Sequence, residues 1–91
     1  MKFEKINYLL GAYFHQDWYL DSENPDDIIR DFVNKETSET VHLLREQIDQ
    51  LLASEHELTE DFIYGNNGYY DPKFDGLTVR QWFERILNQL D

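Results

Sequence analysis

The pair His15 and Asp17 comes nearest, by residue type and spacing, to a catalytic or metal site. Two side chains supply only two metal ligands, whereas a zinc site needs three or four with consistent spacing. A histidine that acts as a general base needs a nucleophile or a second titrating group beside it. The sequence has no Cys, no Gly-x-Ser-x-Gly elbow and no phosphate-binding glycine loop. We therefore predict that the chain is not an enzyme and binds no cofactor or metal, and we interpret His15 as a helix-end residue whose ring nitrogens are bonded locally.

Acidic residues are the more informative feature, with 19 Asp and Glu against 8 Lys and Arg and a net charge of −11. So many carboxylates do not identify an acid/base pair, because glycoside-type catalysis depends on a separation that sequence does not give. Residues 61–75 also lack the ligand order of an EF-hand calcium loop. The charge excess is typical of a solvated acidic surface or of a protein that binds a basic partner. Because nucleic acids and anionic lipids repel such a protein, we expect no direct nucleic-acid binding and no membrane binding.

Composition predicts a single domain, residues 1–91, located in the cytoplasm. Hydrophobic residues make up 41% of the chain and aromatic residues 15%, which is enough for a core, and no Ser/Gly-rich linker divides it. The absence of Cys excludes disulfides and thiolate metal sites. The first residues lack the apolar region of a secretory signal, and no stretch approaches the ~20 apolar residues of a membrane span.

Apolar residues at helical spacing predict an all-α fold, a compact bundle of four to five helices. Over residues 3–18 the apolar side chains recur at helical spacing, which predicts a first helix with one broad apolar face. A second helix, over about residues 25–35, is predicted because Asn24 is a good N-cap and Pro25 fits the first helical position. A third helix is predicted over about residues 39–53, where the apolar stripe is longest.

Two capping boxes predict the remaining helices. Ser54 with Glu57 precedes a weak apolar face and indicates a short fourth helix. Thr78 with Gln81 opens a strongly amphipathic last helix.

The connection between these helices is rich in turn residues and is predicted to be long and irregular. We expect Tyr69, Tyr70 and Phe74 to anchor it to the body of the protein. The alternative is a pair of short strands, residues 61–64 and 69–70, joined by an Asn-Gly turn.

Two clusters of acidic residues are the candidate partner-binding sites. The first lies at the junction of the first two predicted helices and contains Asp21, Glu23, Asp26, Asp27 and Asp31. The second combines carboxylates with aromatic side chains, which make good interface anchors, and contains Glu60, Asp61, Tyr69, Tyr70, Asp71 and Asp75. Either cluster can meet a cleft lined by Lys and Arg, and the sequence favours neither.

Three segments occur in a characteristic order along most of the chain. They are Leu10-Gly11-Ala12-Tyr13-Phe14-His15-Gln16-Asp17-Trp18, then Asn24-Pro25-Asp26-Asp27, then Asp75-Gly76-Leu77-Thr78-Val79-Arg80-Gln81-Trp82-Phe83. Through these segments the chain resembles the immunity proteins of bacterial contact-dependent growth inhibition systems.

The resemblance implies a small cytoplasmic antitoxin that forms a one-to-one complex with the C-terminal toxin domain of a growth-inhibition effector and blocks its activity. Such toxins are often nucleases, whose basic clefts bind phosphate, so an acidic inhibitor that covers the cleft makes physical sense. The resemblance does not identify the toxin. The apolar spacing of Tyr13, Phe14 and Trp18 favours a role in the fold rather than in toxin contact.

Two other functions remain open at this point. The chain could be a nucleic-acid mimic that inhibits several basic proteins nonspecifically, or a small enzyme that uses His15 and Asp17. A mimic should bind unrelated nucleases with a steep salt dependence. A dedicated immunity protein should add a buried apolar centre and keep one partner at ~0.5 M salt.

Overall fold

All regular structure in the described part of the chain is helical. The structure is a computed structural model that describes residues 3–21, 24–54, 58–66 and 68–90, without the side chain of Asp21. Its elements are α1 (Glu4–Tyr13), α2 (Trp18–Asp21), α3 (Pro25–Lys35), α4 (Ser38–Ala53), α5 (Glu60–Gly65), a 3-10 helix (Pro72–Asp75) and α6 (Val79–Leu90). The predicted all-α fold is confirmed. No helix within these ranges is long and apolar enough to cross a membrane.

The helices with clear local signals begin where the sequence predicts. At the start of α3, the Asn24 side chain accepts a hydrogen bond from the backbone N–H of Asp26 at 2.9 Å, and Pro25 occupies the first helical position. The capping box of α6 is reciprocal: Gln81 N–H donates to Thr78 Oγ1 at 3.1 Å, and Thr78 N–H donates to Gln81 Oε1 at 2.9 Å. Both boundaries follow from residues within one turn of each other.

The first helix is shorter than predicted, because α1 ends at Tyr13 and Trp18 is the first residue of a separate helix, α2. The chain leaves the helix at Phe14, whose carbonyl accepts a hydrogen bond from the N–H of Tyr69 at 2.8 Å. A short turn follows in which Asp17 N–H donates to His15 Nδ1 at 3.1 Å, and α2 then begins at Trp18. A backbone bond to a distant segment therefore ends α1, although the apolar spacing continues.

Ser54 caps the end of α4 and does not begin the next helix as predicted. Its hydroxyl donates to the carbonyl of Leu51 at 2.6 Å, and the position before α5 is held by Thr59. Glu57, the other half of the predicted capping box, lies outside the described residues. The backbone N–H of Ser54 also donates to the Leu51 carbonyl, at 3.2 Å, so Ser54 closes the last turn of α4 with both its backbone and its side chain.

Side chains from other helices complete the backbone bonding at two helix ends. Gln47 Oε1 accepts the N–H groups of Lys5 and Ile6, at 2.7 and 3.3 Å, at the start of α1. Arg80 donates to the carbonyl of Leu52 at 3.0 Å, at the end of α4. These contacts tie α4 to α1 and α6, which are the helices that pack most closely against it.

The core lies where α1, α3, α4 and α6 meet, and it continues under the segment that precedes the 3-10 helix. Trp82 of α6 is fully buried, and its ring centroid lies 5.2 Å from that of Phe14 and 4.9 Å from that of Tyr70. Phe14 is itself fully buried, whereas Tyr13 and Trp18 are partly buried against the core. The Tyr-Phe-His-Gln-Asp-Trp run thus contributes to the fold, as its apolar spacing predicts.

The segment between α5 and α6 packs closely against α1 and α5. A Cβ atom at Gly68 would lie 2.7 Å from Ile63 Cγ2 and 3.1 Å from Leu10 Cβ, so the backbone there approaches the body too closely for a side chain. Gly76 ends the 3-10 helix with φ of 73°, a conformation that glycine adopts without strain. The two-strand alternative is wrong, since residues 61–64 belong to α5.

Candidate functional site

Asp26, from the first acidic cluster, is engaged in the fold. Its two carboxylate oxygens accept from Nε and Nη2 of Arg85, at 3.0 and 2.5 Å, and from Nε2 of Gln89 at 3.1 Å. This paired geometry is the strong form of a carboxylate–guanidinium interaction. It fixes the start of α3 to α6, so Asp26 is held in place and is only partly available to a partner.

The ion pair makes acid stability depend on Asp26. The hydrogen bonds from Arg85 hold the pKa of the Asp26 carboxyl below its ordinary value. Because the folded-state pKa is depressed, the pair contributes stability above that ordinary value and loses it as the pH falls toward the folded-state pKa. We expect the melting temperature of the native chain to fall more steeply below about pH 4 than that of Asp26→Asn or Arg85→Gln. If the melting temperatures of the three proteins fall in parallel as the pH is lowered, the ion pair is not the source of the acid sensitivity.

Asp27 and Asp31 lie on the exposed side of α3. Asp27 accepts from Arg30 Nη1 at 3.3 Å and Asp31 from Lys35 Nζ at 3.4 Å, and all four side chains are at least half exposed. Such solvent-exposed pairs within one helix contribute at most a few tenths of a kcal/mol. Both carboxylates are therefore accessible to a partner. Of the other two members of this cluster, Glu23 lies outside the described residues, as does the side chain of Asp21.

The carboxylates of the second cluster are spread over α5 and the 3-10 helix. Glu60 accepts from Lys73 Nζ at 3.4 Å, which links the two elements, and Asp61 is exposed in the first turn of α5. Asp71 Oδ1 accepts the N–H of Lys73 at 3.0 Å and so caps the 3-10 helix. Asp75 accepts the hydroxyl of Tyr70. The first turn of each element is therefore acidic and lies near the surface.

The two tyrosines of the second cluster have opposite environments. Tyr69 is 54% exposed, whereas Tyr70 is 2% exposed and packs on Trp82. Burial, together with the hydrogen bond to Asp75, raises the pKa of the Tyr70 hydroxyl. Tyr70 is thus part of the core, as predicted for a residue that anchors the connection to the body, and it has little exposed surface to offer a partner directly.

An aromatic hollow of about 370 Å³ lies between α2 and the segment around the 3-10 helix. We define the aromatic hollow by the residues that line it, Trp18, Tyr19, Tyr69, Tyr70, Asp71, Phe74 and Asp75. Phe74 is 89% exposed, so the prediction that it anchors the connection to the body is wrong. Tyr19, which is 57% exposed, was not among the predicted contact residues. The sequence feature that could have identified Tyr19 is an aromatic side chain next to Trp18 that lies outside the apolar stripe of the predicted first helix.

A polar cleft of about 210 Å³ adjoins the aromatic hollow and joins the two acidic clusters. It is lined by Asn24, Pro25, Asp26, Tyr70, Asp75, Leu77, Trp82 and Arg85, and it shares Tyr70 and Asp75 with the aromatic hollow. The start of α3 and the end of the 3-10 helix are therefore neighbours. The sequence presents two alternative acidic clusters. In the structure, Asp26 of the first cluster and Asp75 of the second line the same cleft, so the two clusters meet there in one continuous surface.

The two histidines in the described part of the chain, His15 and His42, do not assemble into a site. His15 makes the local bond within the turn before α2 that is described above, and the exposed His42 lies 3.2 Å from Glu46 on α4. His56 falls in the part of the chain that is not described. Within residues 3–21, 24–54, 58–66 and 68–90, no three His, Cys, Asp or Glu side chains gather as metal ligands.

Comparison with known proteins agrees with this architecture. The sequence matches the family described as CdiI immunity protein over residues 2–90. The fold is similar to a chain in the crystal structure of a CdiA-CT/CdiI complex from Y. kristensenii, with a TM-score of 0.90 and 24% sequence identity over 100% of both chains. No significant match to a curated protein is found. Since the family match extends over nearly the whole sequence, the chain belongs to the CdiI immunity protein family.

Proposed function

We propose that this chain is a cytoplasmic, non-enzymatic inhibitor that binds and neutralises the toxin domain of a contact-dependent growth inhibition effector. The observation that carries the proposal is the family match over residues 2–90. The similar chain from Y. kristensenii was solved in complex with CdiA-CT, which supports a partner of the same kind here.

The charge of the chain supports a basic toxin, and a nuclease is a toxin of this kind because its substrate cleft is basic. The net charge is −11, and Asp27, Asp31 and Asp61 present carboxylates at the surface. A nuclease holds phosphate groups in a cleft lined by Lys and Arg, and carboxylates can occupy the same positions through charge-assisted hydrogen bonds. We infer that the chain covers this cleft and excludes the nucleic acid, as a one-to-one complex.

A nonspecific acidic mimic remains the second candidate, because the same negative charge would attract any basic protein. The exposed aromatic residues Tyr19, Tyr69 and Phe74 favour a dedicated partner over this candidate. Aromatic anchors contribute affinity that salt does not screen, whereas charge pairs alone weaken as ionic strength rises.

Co-purification separates these candidates. The chain is expressed with the toxin domain encoded immediately upstream of it and, separately, with an unrelated basic nuclease. We expect a one-to-one complex with the first protein that persists at ~0.5 M salt, and no complex with the second at that salt concentration. Equal retention of both proteins at low salt, with loss of both at ~0.5 M, would favour the mimic.

A further inference from the structure

We propose that the aromatic hollow receives the apolar centre of the toxin interface, with Tyr69 and Phe74 as the main anchors. The inference rests on the proposed function and specifies the surface that performs it. The occupant is the toxin domain, which must offer an apolar contact for the rings and basic residues around that contact.

Exposure of apolar side chains is concentrated at this surface. Among the described residues, four of the exposed large hydrophobic side chains lie on α2 or within residues 69–74, namely Tyr19, Leu20, Tyr69 and Phe74. Single exposed apolar residues are ordinary, but a group of them around one concave surface is typical of an interaction site. Elsewhere among the described residues, the exposed large hydrophobic side chains are Tyr8, whose hydroxyl donates to Glu36 at 2.8 Å, and Tyr64, a single ring on α5. The hollow is thus where exposed apolar side chains are grouped.

Contacts beneath the aromatic hollow hold its walls in place. The N–H of Tyr69 is bonded to the carbonyl of Phe14, and the ring of Trp18 lies edge-on to Tyr70 with 5.4 Å between centroids. Asp71 caps the 3-10 helix that carries Phe74. A surface that is already ordered loses little conformational freedom on binding, so more of the contact energy appears as affinity. The backbone that carries Tyr69 and Phe74 is therefore held in place before the toxin arrives.

The rim of the aromatic hollow has the charge that a basic partner requires. Asp71 and Asp75 line it, and Asp26 lies in the adjoining polar cleft. The nearest cations are already paired, Arg85 with Asp26 and Lys73 with Glu60. An apolar centre within a polar rim is the usual arrangement of a protein–protein interface. This combination fits a toxin whose Lys and Arg residues surround an apolar contact.

Alanine variants of the anchors test the inference. Phe74→Ala, Tyr69→Ala and the double variant are compared with Tyr64→Ala, a matched control because Tyr64 is 48% exposed on α5 and lies outside the aromatic hollow. Binding to the toxin domain encoded upstream is measured by titration calorimetry, and folding by circular dichroism. We expect Kd to rise at least about tenfold for each single variant and more for the double variant, with less than about threefold change for Tyr64→Ala.

The outcomes distinguish this inference from the proposed function. If the native chain binds the toxin domain and the folded double variant binds it equally well, the aromatic hollow is not the interface, although the proposed function stands. An equal loss of affinity in Tyr64→Ala would overturn the inference in the same way. If the native chain does not bind that toxin domain at all, the proposed function fails and the inference fails with it.

Discussion

Replacing Trp82 with alanine should reduce the free energy of unfolding by about 3–5 kcal/mol. Trp82 is fully buried, and its ring contacts Phe14, Tyr70 and Phe83. Truncation removes the buried area and leaves a cavity among rings that come from three separate segments, so the surroundings cannot close it completely. The loss is measured by urea denaturation followed by circular dichroism.

Tyr64→Ala is the control for this measurement as well, because it removes an aromatic ring from an exposed position. Its effect should stay within about 0.5 kcal/mol. A loss below about 1 kcal/mol in Trp82→Ala would mean that the aromatic residues do not form the centre of the core.

Reversing the charge at Asp27 and Asp31 together should slow association with the toxin by roughly tenfold at low salt. Both side chains are exposed on α3, which begins at the polar cleft beside the aromatic hollow, so they contribute to the field that a basic partner meets on approach. Charges outside the buried contact affect the association rate more than the dissociation rate. We therefore expect the dissociation rate of Asp27→Lys/Asp31→Lys to remain close to that of the native chain, as measured by stopped-flow or surface plasmon resonance.

A matched control for the charge reversal is Glu39→Lys/Asp49→Lys on α4. It makes the same change in net charge at exposed positions of a helix that contributes no residue to the polar cleft or the aromatic hollow, whereas α3 contributes Pro25 and Asp26 to the cleft. A smaller effect on association is expected for this variant, and the difference between the two should shrink as salt is added. Unchanged association kinetics in the α3 variant would remove that helix from the approach surface.

Local signals predicted the helices whose ends are fixed by neighbouring residues. The start of α3 depends on Asn24 and Pro25, and the start of α6 on Thr78 and Gln81, so each can be recognised within one turn. The end of α1 could not be recognised in this way. It depends on the bond between Phe14 and Tyr69, and the spacing of apolar residues carries no information about so distant a contact.

The sequence predicted which residue types form the candidate site better than it predicted how those residues are arranged. Acidic residues and Tyr69 were identified from charge and residue type. The sequence did not separate Tyr70, which is buried, from Phe74, which is exposed, because both rings were expected to anchor the connection to the body. The ion pair between Asp26 and Arg85 joins residues from α3 and α6 that no local pattern relates. These features arise when helices that are distant in sequence pack together, which is a property of the whole fold.

The most direct test of the central claim is a cleavage assay with the toxin domain encoded upstream, using RNA and DNA substrates and increasing amounts of this chain. We predict that cleavage of one substrate falls to background when the chain reaches a one-to-one ratio with the toxin. Tyr69→Ala/Phe74→Ala should require a large excess to reach the same inhibition, while Tyr64→Ala should behave as the native chain does. Full cleavage by a toxin that is demonstrably bound to the chain would contradict the account, because the chain would then bind without covering the active-site cleft.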